Sequence, residues 1–105
     1  MTNEQRLKIT DNLYKLRLKI LQDKGKAYAN NEDVNSNFKV VAELLGLTPF
    51  QVWAVYFLKH IICITNSIKD NPESPVDLTE GLKGRILDAQ NYLDILQSLL
   101  EEKEE

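Results

Sequence analysis

The chain predicts an all-α fold, a four-helix bundle-like single domain over residues 1–100, and three observations carry that reading. Apolar residues recur at helical spacing in separate stretches, cap signatures stand before two of them, and no alternating apolar run bounded by turn residues suggests a hairpin. At 105 residues the chain can bury one core without staples, and 43% hydrophobic with 28% charged residues is ordinary for a globular protein. Glu101 to Glu105 read as an acidic disordered tail.

The first helix is expected to start after Thr2, whose hydroxyl can cap while Gln5 reaches back, and to stop near Gly25. Ile9, Leu13, Leu16 and Ile20 form one apolar face of it, and Leu7, Tyr14, Leu18 and Leu21 form another on the opposite side at about 100° per residue. A helix apolar on two sides needs two neighbours, which suggests a homodimer as readily as a second layer. KGKAYANNEDVNSNF, from Lys24, reads as a polar loop leading into a short helix around Phe38 to Leu45, ended by Gly46. Thr48, Pro49 and Gln51 then supply cap, first-turn proline and third-position glutamine for a long helix to about Lys69. Asp70 to Pro75 break the chain. A last helix carries Leu82, Ile86, Ala89, Leu93, Leu96 and Leu100 on its apolar stripe.

Charge is unevenly spread. Residues 1–26 carry +4 and the remainder −7, so the basic end suits phosphate or an acidic partner. The polar N-terminus has no secretion-signal layout and the lone Cys63 has no internal partner, which together point to the cytoplasm. The most apolar stretch, Phe50 to Ile64, falls short of the roughly 20 residues a membrane span needs.

VAELLGLTPFQVWAVYFLKH, residues 41–60, is laid out like a helix-turn-helix DNA reader. A recognition helix must offer polar side chains to base edges, whereas the first turns here offer Phe50, Trp53, Ala54 and Phe57. Gln51 alone has suitable chemistry, and capping accounts for it. Burial of the aromatic side chains is the expected alternative.

Candidate chemistry gathers on the last two helices. The stripe Glu80, Gly84, Asp88, Asn91, Ile95, Leu99 is polar in its first half and apolar in its second, as a line passing from a wet pocket into a core would be. Glu80 and Asp88, about two turns apart, would each ligate Mg²⁺ from its own position if phosphates and waters completed the shell. The plainer alternative makes Glu80 a first-turn acid and pairs Asp88 with Arg85 or a surface lysine. Lys59 shares a stripe with Cys63 and Asn66 in a mostly apolar setting, either snorkelling to water or paired with an anion. His60, the single histidine, is expected to be packed and hydrogen-bonded; Gly81 and Gly84 are expected to permit close helix packing.

KGKAYANNEDVNSNF, the Lys59-His60 helix and EGLKGRILDAQNYL together resemble the small phage and prophage members of the MazG-like all-α nucleotide pyrophosphohydrolases and related nucleotide-modification-associated domains, over roughly residues 20–97. The resemblance implies a homodimeric bundle that hydrolyses a nucleoside triphosphate with Mg²⁺. Glu80 and Asp88 match its metal-binding acids, Asn91 with Tyr92 its Asn-Tyr pair, and Asn37 with Phe38 its loop end. Lys24, Lys26 and Tyr28 fall where substrate contacts would be made, Asn37 and Asn91 would orient ligands, and Lys59 or Lys26 would neutralise phosphate. Lys83 stands where the group usually has a second acid, and Ile62 where it often has one after the Lys-His pair. Those departures leave room for a non-catalytic phage protein that occupies a host or defence macromolecule.

Overall fold

The computed structural model describes residues 1–29, 33–79 and 81–104, the side chains of 25–29 aside. Its regular elements are helices: α1 (Asn3–Ala29), α2 (Ser36–Leu45), α3 (Pro49–Asp70) and α4 (Leu82–Glu104). The chain divides into two compact units, Met1–Val34 and Asn35–Glu105.

The first unit is α1, and its start follows the expected chemistry. Thr2 N–H donates to Gln5 Oε1 at 2.8 Å while Gln5 N–H donates to Thr2 Oγ1 at 3.1 Å, a reciprocal cap on two donors the helix itself leaves open. The helix then runs through Gly25 to Ala29 rather than stopping near Gly25. An interior glycine costs only about 1 kcal/mol against alanine, and Lys24, Lys26, Ala27 and Ala29 around it are good helix formers. None of the described side chains of α1 is buried; Leu7, Tyr14 and Leu18 on one face and Ile9 and Leu16 on the other all stand exposed.

The second unit holds the core. Asn35 opens α2 through its carbonyl, which accepts from Phe38 and Lys39, while its own amide turns inward. At the other end Gly46 adopts φ 68°, and the bond from Leu47 N–H to Ala42 O at 2.9 Å closes the left-handed helix stop that a residue without Cβ adopts freely. α3 begins with a second reciprocal cap, Thr48 N–H to Gln51 Oε1 at 2.8 Å and Gln51 N–H to Thr48 Oγ1 at 3.2 Å, with Pro49 in the first turn where no donor is missed. α2 and α3 meet at 106°, and α3 packs against both α2 and α4.

Phe38, Ala42, Val52, Trp53 and Leu99 form the buried cluster, with Val41, Phe50, Ala54, Phe57, Tyr92, Ile95 and Leu96 packed around it. Trp53 donates its indole N–H to the Tyr92 carbonyl at 2.6 Å, which meets the need of a buried indole for an acceptor and fixes α3 on α4. Its ring stacks on Phe57, 4.7 Å between centroids and 13° between planes. At the far side Asn35, 2% exposed, donates to Ser98 Oγ at 3.1 Å and to Glu102 Oε1 at 3.0 Å, so the approach to α2 is tied to the end of α4.

Two expectations about α4 are corrected. Its buried line runs through Arg85, Ala89, Asn91 and Leu99, whereas Ile86, Leu93 and Leu100 of the expected apolar stripe are 39%, 51% and 42% exposed. The helix has turned to satisfy Trp53 and Arg85, which periodicity does not register. It also continues through Glu104, so residues 101–104 are ordered helix and not a disordered tail. No single helix is long and apolar enough to cross a membrane.

Candidate functional site

Buried polar chemistry concentrates where the loop before α4 meets α3 and α4. Asp77 sits in a local turn: its Oδ1 accepts from the Thr79 N–H at 2.9 Å and from the Thr79 hydroxyl at 2.7 Å. Its Oδ2 accepts from Arg85 Nε at 2.8 Å, both side chains being under a tenth exposed. Thr79's hydroxyl first, then the Arg85 guanidinium, hold the Asp77 carboxyl well below the usual carboxylate range. The guanidinium also reaches Thr79 Oγ1 at 3.3 Å and lies 3.4 Å from His60 Nδ1. A guanidinium cannot accept, so the contact with His60 is a hydrogen bond when Nδ1 keeps its lone pair.

His60 is therefore packed, 7% exposed, with its ring 5.2 Å from that of Tyr92. On its other flank Asp88 Oδ2 stands 4.0 Å from Nδ1, and the Asp88 side chain keeps 28% of its surface in solvent. Three residues on, on the same face of α4, Asn91 is 3% exposed with neither Oδ1 nor Nδ2 hydrogen-bonded. A buried amide left wholly unpaired costs of order 1–3 kcal/mol, and native proteins keep few such groups.

The predicted site residues fare unevenly. Asp88, 4.0 Å from His60, and Asn91 share a face of α4, as their i, i+3 spacing requires. Glu80 lies outside the described residues, and α4 is described from Leu82. Gly81, at φ 81°, makes the turn into α4. Nothing lies within 4 Å of a Cβ built on Gly81 or Gly84, so neither glycine serves close helix packing. Lys26 and Tyr28 belong to α1 and not to a loop, and their side chains lie outside the described set. Asn37 is exposed on the first turn of α2, and the buried asparagine of that segment is Asn35. Lys59 is exposed. Asp88 does not pair with Arg85, because Asp77 has taken that guanidinium.

Asp77, Thr79 and Arg85 were not anticipated as a unit. The signal was present in VDLT, where an aspartate two residues before a threonine writes a side-chain turn, but nothing local says that Arg85 closes on it. Among the described residues no three His, Cys, Asp or Glu side chains converge on one point where a metal ion would be held. Compared with protein-family models, curated proteins and solved structures, the chain matches none.

The helix-turn-helix question is answered in part by shape and in part by surface. The angle between α2 and α3 suits that motif, but the outward face of α3 carries Val55, Leu58 and Ile62, 52–63% exposed. Those groups read no base edge and neutralise no phosphate.

Proposed function

We propose that this chain binds a nucleoside triphosphate together with Mg²⁺ beside Asp88 and Asn91, and that it hydrolyses the bound molecule to monophosphate and pyrophosphate. The observation that carries the reading is Asn91, a buried amide with both polar atoms unpaired, one turn from a half-buried carboxylate. A primary amide offers both donors and an acceptor, so it suits a ligand that brings both, such as a phosphate ester or a ribose hydroxyl. The likeness of EGLKGRILDAQNYL to the last helix of the MazG-like group supports the same assignment and supplies the reaction class.

The donor set fits Mg²⁺ in one way. A cage made of protein side chains has no support among the described residues, whereas an ion already held by phosphate oxygens needs only one or two carboxylates and keeps its waters. Asp88, with Glu80 by resemblance, would hold it, and the bound ion supplies charge neutralisation and an activated water. Asn91 orients the ligand by hydrogen bonds. His60, held against Arg85 and Tyr92, flanks the Asp88 carboxylate at 4.0 Å. The hydrolysis balances simply: a water oxygen bonds the α-phosphorus, the bond to the bridging oxygen breaks, and pyrophosphate leaves with the electron pair.

The test is incubation of the purified chain with each common ribo- and deoxyribonucleoside triphosphate and Mg²⁺. Monophosphate and pyrophosphate are expected from at least one of them. Asp88→Asn should lower the rate by about a hundredfold or more while leaving the helical content unchanged, the scale of losing a charged transition-state contact. Absence of both turnover and Mg²⁺-dependent nucleotide binding across the whole panel sinks the reading.

A further inference from the structure

We propose, resting on the nucleotide reading for the ligand, that Arg85 is a positioning residue that leaves the Asp88 carboxylate free for Mg²⁺: it holds His60 off Asp88, while Asp77 holds Arg85 itself. Asp88 has a competitor on each side. Arg85 precedes it by three residues on α4, a spacing at which a guanidinium and a carboxylate pair on a helix surface. His60 comes from α3, with Nδ1 4.0 Å from Asp88 Oδ2. Either contact would spend the oxygens that a cation needs, yet among the described residues Asp88 accepts no hydrogen bond.

The loop before α4 removes the first competitor. Asp77 Oδ2 accepts from Arg85 Nε at 2.8 Å, and Thr79 Oγ1 accepts from Arg85 Nη2 at 3.3 Å, so the guanidinium is committed to the loop. The guanidinium in turn removes the second. Its Nη1 lies 3.4 Å from His60 Nδ1, and because a guanidinium only donates, Nδ1 gives its lone pair to Arg85. A nitrogen used in that way carries no proton to offer Asp88. Two acceptors side by side do not bond, in keeping with a 4.0 Å gap that is too long for a hydrogen bond. The imidazole is also fixed in place, 7% exposed with its ring 5.2 Å from that of Tyr92. Arginine suits position 85 because three different nitrogens of one rigid fork meet Asp77, Thr79 and His60. A lysine ammonium is a single point and cannot stand in all three places. With Arg85 replaced, Nδ1 can take the imidazole proton and donate it to Asp88, whose carboxylate then binds a cation less well.

The chain has one histidine, so nitrogen-15 spectra of the full-length wild type report its tautomer directly, with no variant needed. Nδ1 without a proton and Nε2 with one are expected there, and a proton on Nδ1 in Arg85→Lys. Metal affinity is read by electron paramagnetic resonance of Mn²⁺, an ion that suits the same oxygen ligands as Mg²⁺, added with the α,β-methylene analogues of the common nucleoside triphosphates. Arg85→Lys should weaken Mn²⁺ binding about tenfold or more. Adding His60→Phe, which keeps a ring against Tyr92 and has no nitrogen to offer Asp88, should restore most of that loss. A protonated Nδ1 in the wild type, Mn²⁺ binding indifferent to Arg85→Lys, or a loss that His60→Phe does not relieve each overturns this inference and leaves the nucleotide reading standing. A wild type that binds none of the Mn²⁺ complexes overturns the nucleotide reading and this inference with it.

Discussion

Asn91 shows how far one side chain can be pressed. Its amide is buried to 3% with no partner, whereas Asn35, also buried, spends its amide on Ser98 and Glu102. The contrast separates a structural amide from one held in reserve. Replacing Asn91 by Leu, similar in shape and free of polar atoms, removes the uncompensated groups, so the unfolding free energy from urea titration should rise by about 1–3 kcal/mol. Nucleotide binding should be lost in the same variant. A protein that becomes both more stable and inactive is the signature of a site kept at a cost. If Asn91→Leu is destabilised instead, the amide belongs to the core's own bonding and the site loses its main support. Asn35→Leu should go the opposite way, since it removes the amide that donates to Ser98 and Glu102, leaving Ser98 its bond to the Ile95 carbonyl at 2.7 Å and Glu102 its exposed 2.8 Å ion pair with Lys39.

At the scale of elements, the segment before α4 is held by Asp77, which joins its own turn to the first turns of the helix through Thr79 and Arg85. The carboxyl is depressed in the folded state, chiefly by the Thr79 hydroxyl and then by Arg85. The unfolded chain therefore binds the proton more readily. The contribution is complete above the ordinary carboxylate value of about 4 and is lost as pH falls below it. Thermal midpoints of the wild type should drop steeply from about pH 4 downward, and Asp77→Asn should start lower and flatten that limb. An equally steep limb in the variant would place the acid sensitivity elsewhere. Elements were legible in the sequence wherever their causes are local: Thr2 with Gln5, Thr48 with Gln51, and Gly46 each mark a boundary that the structure keeps. The face of α4 was not, because the Trp53 indole and the Asp77–Arg85 pair, both distant in sequence, decide which way it turns. The same reasoning divides the candidate site: Asp88 and Asn91 follow from spacing on one helix, whereas the partners of His60 and Arg85 come from other elements.

The whole molecule is two units of unequal solidity. Asn35–Glu105 has a buried cluster closed by aromatic packing and a buried ion pair, while Met1–Val34 is a long helix with no buried side chain among those described. A helix of 27 residues draws some stability from its reciprocal cap and from pairs such as Asp11 with Lys15 at 2.9 Å and Arg17 over the Tyr14 ring, but in proteins most helical stability comes from packing an apolar face. Charge differs in sign across that boundary, since residues 1–34 hold seven basic against five acidic groups, +2, and the remainder six against eleven, −5. Local opening is cheapest where few apolar contacts are buried. Amide hydrogen exchange on the full chain should therefore find α1 exchanging well ahead of α3 and α4, with the slowest amides around Val52, Trp53 and Leu99. Protection of α1 equal to that of the core would mean that its two apolar faces are both covered in solution, and the chain would then unfold as one cooperative body. Uneven protection would instead assign the site to a body that needs neither face of α1 to hold its shape.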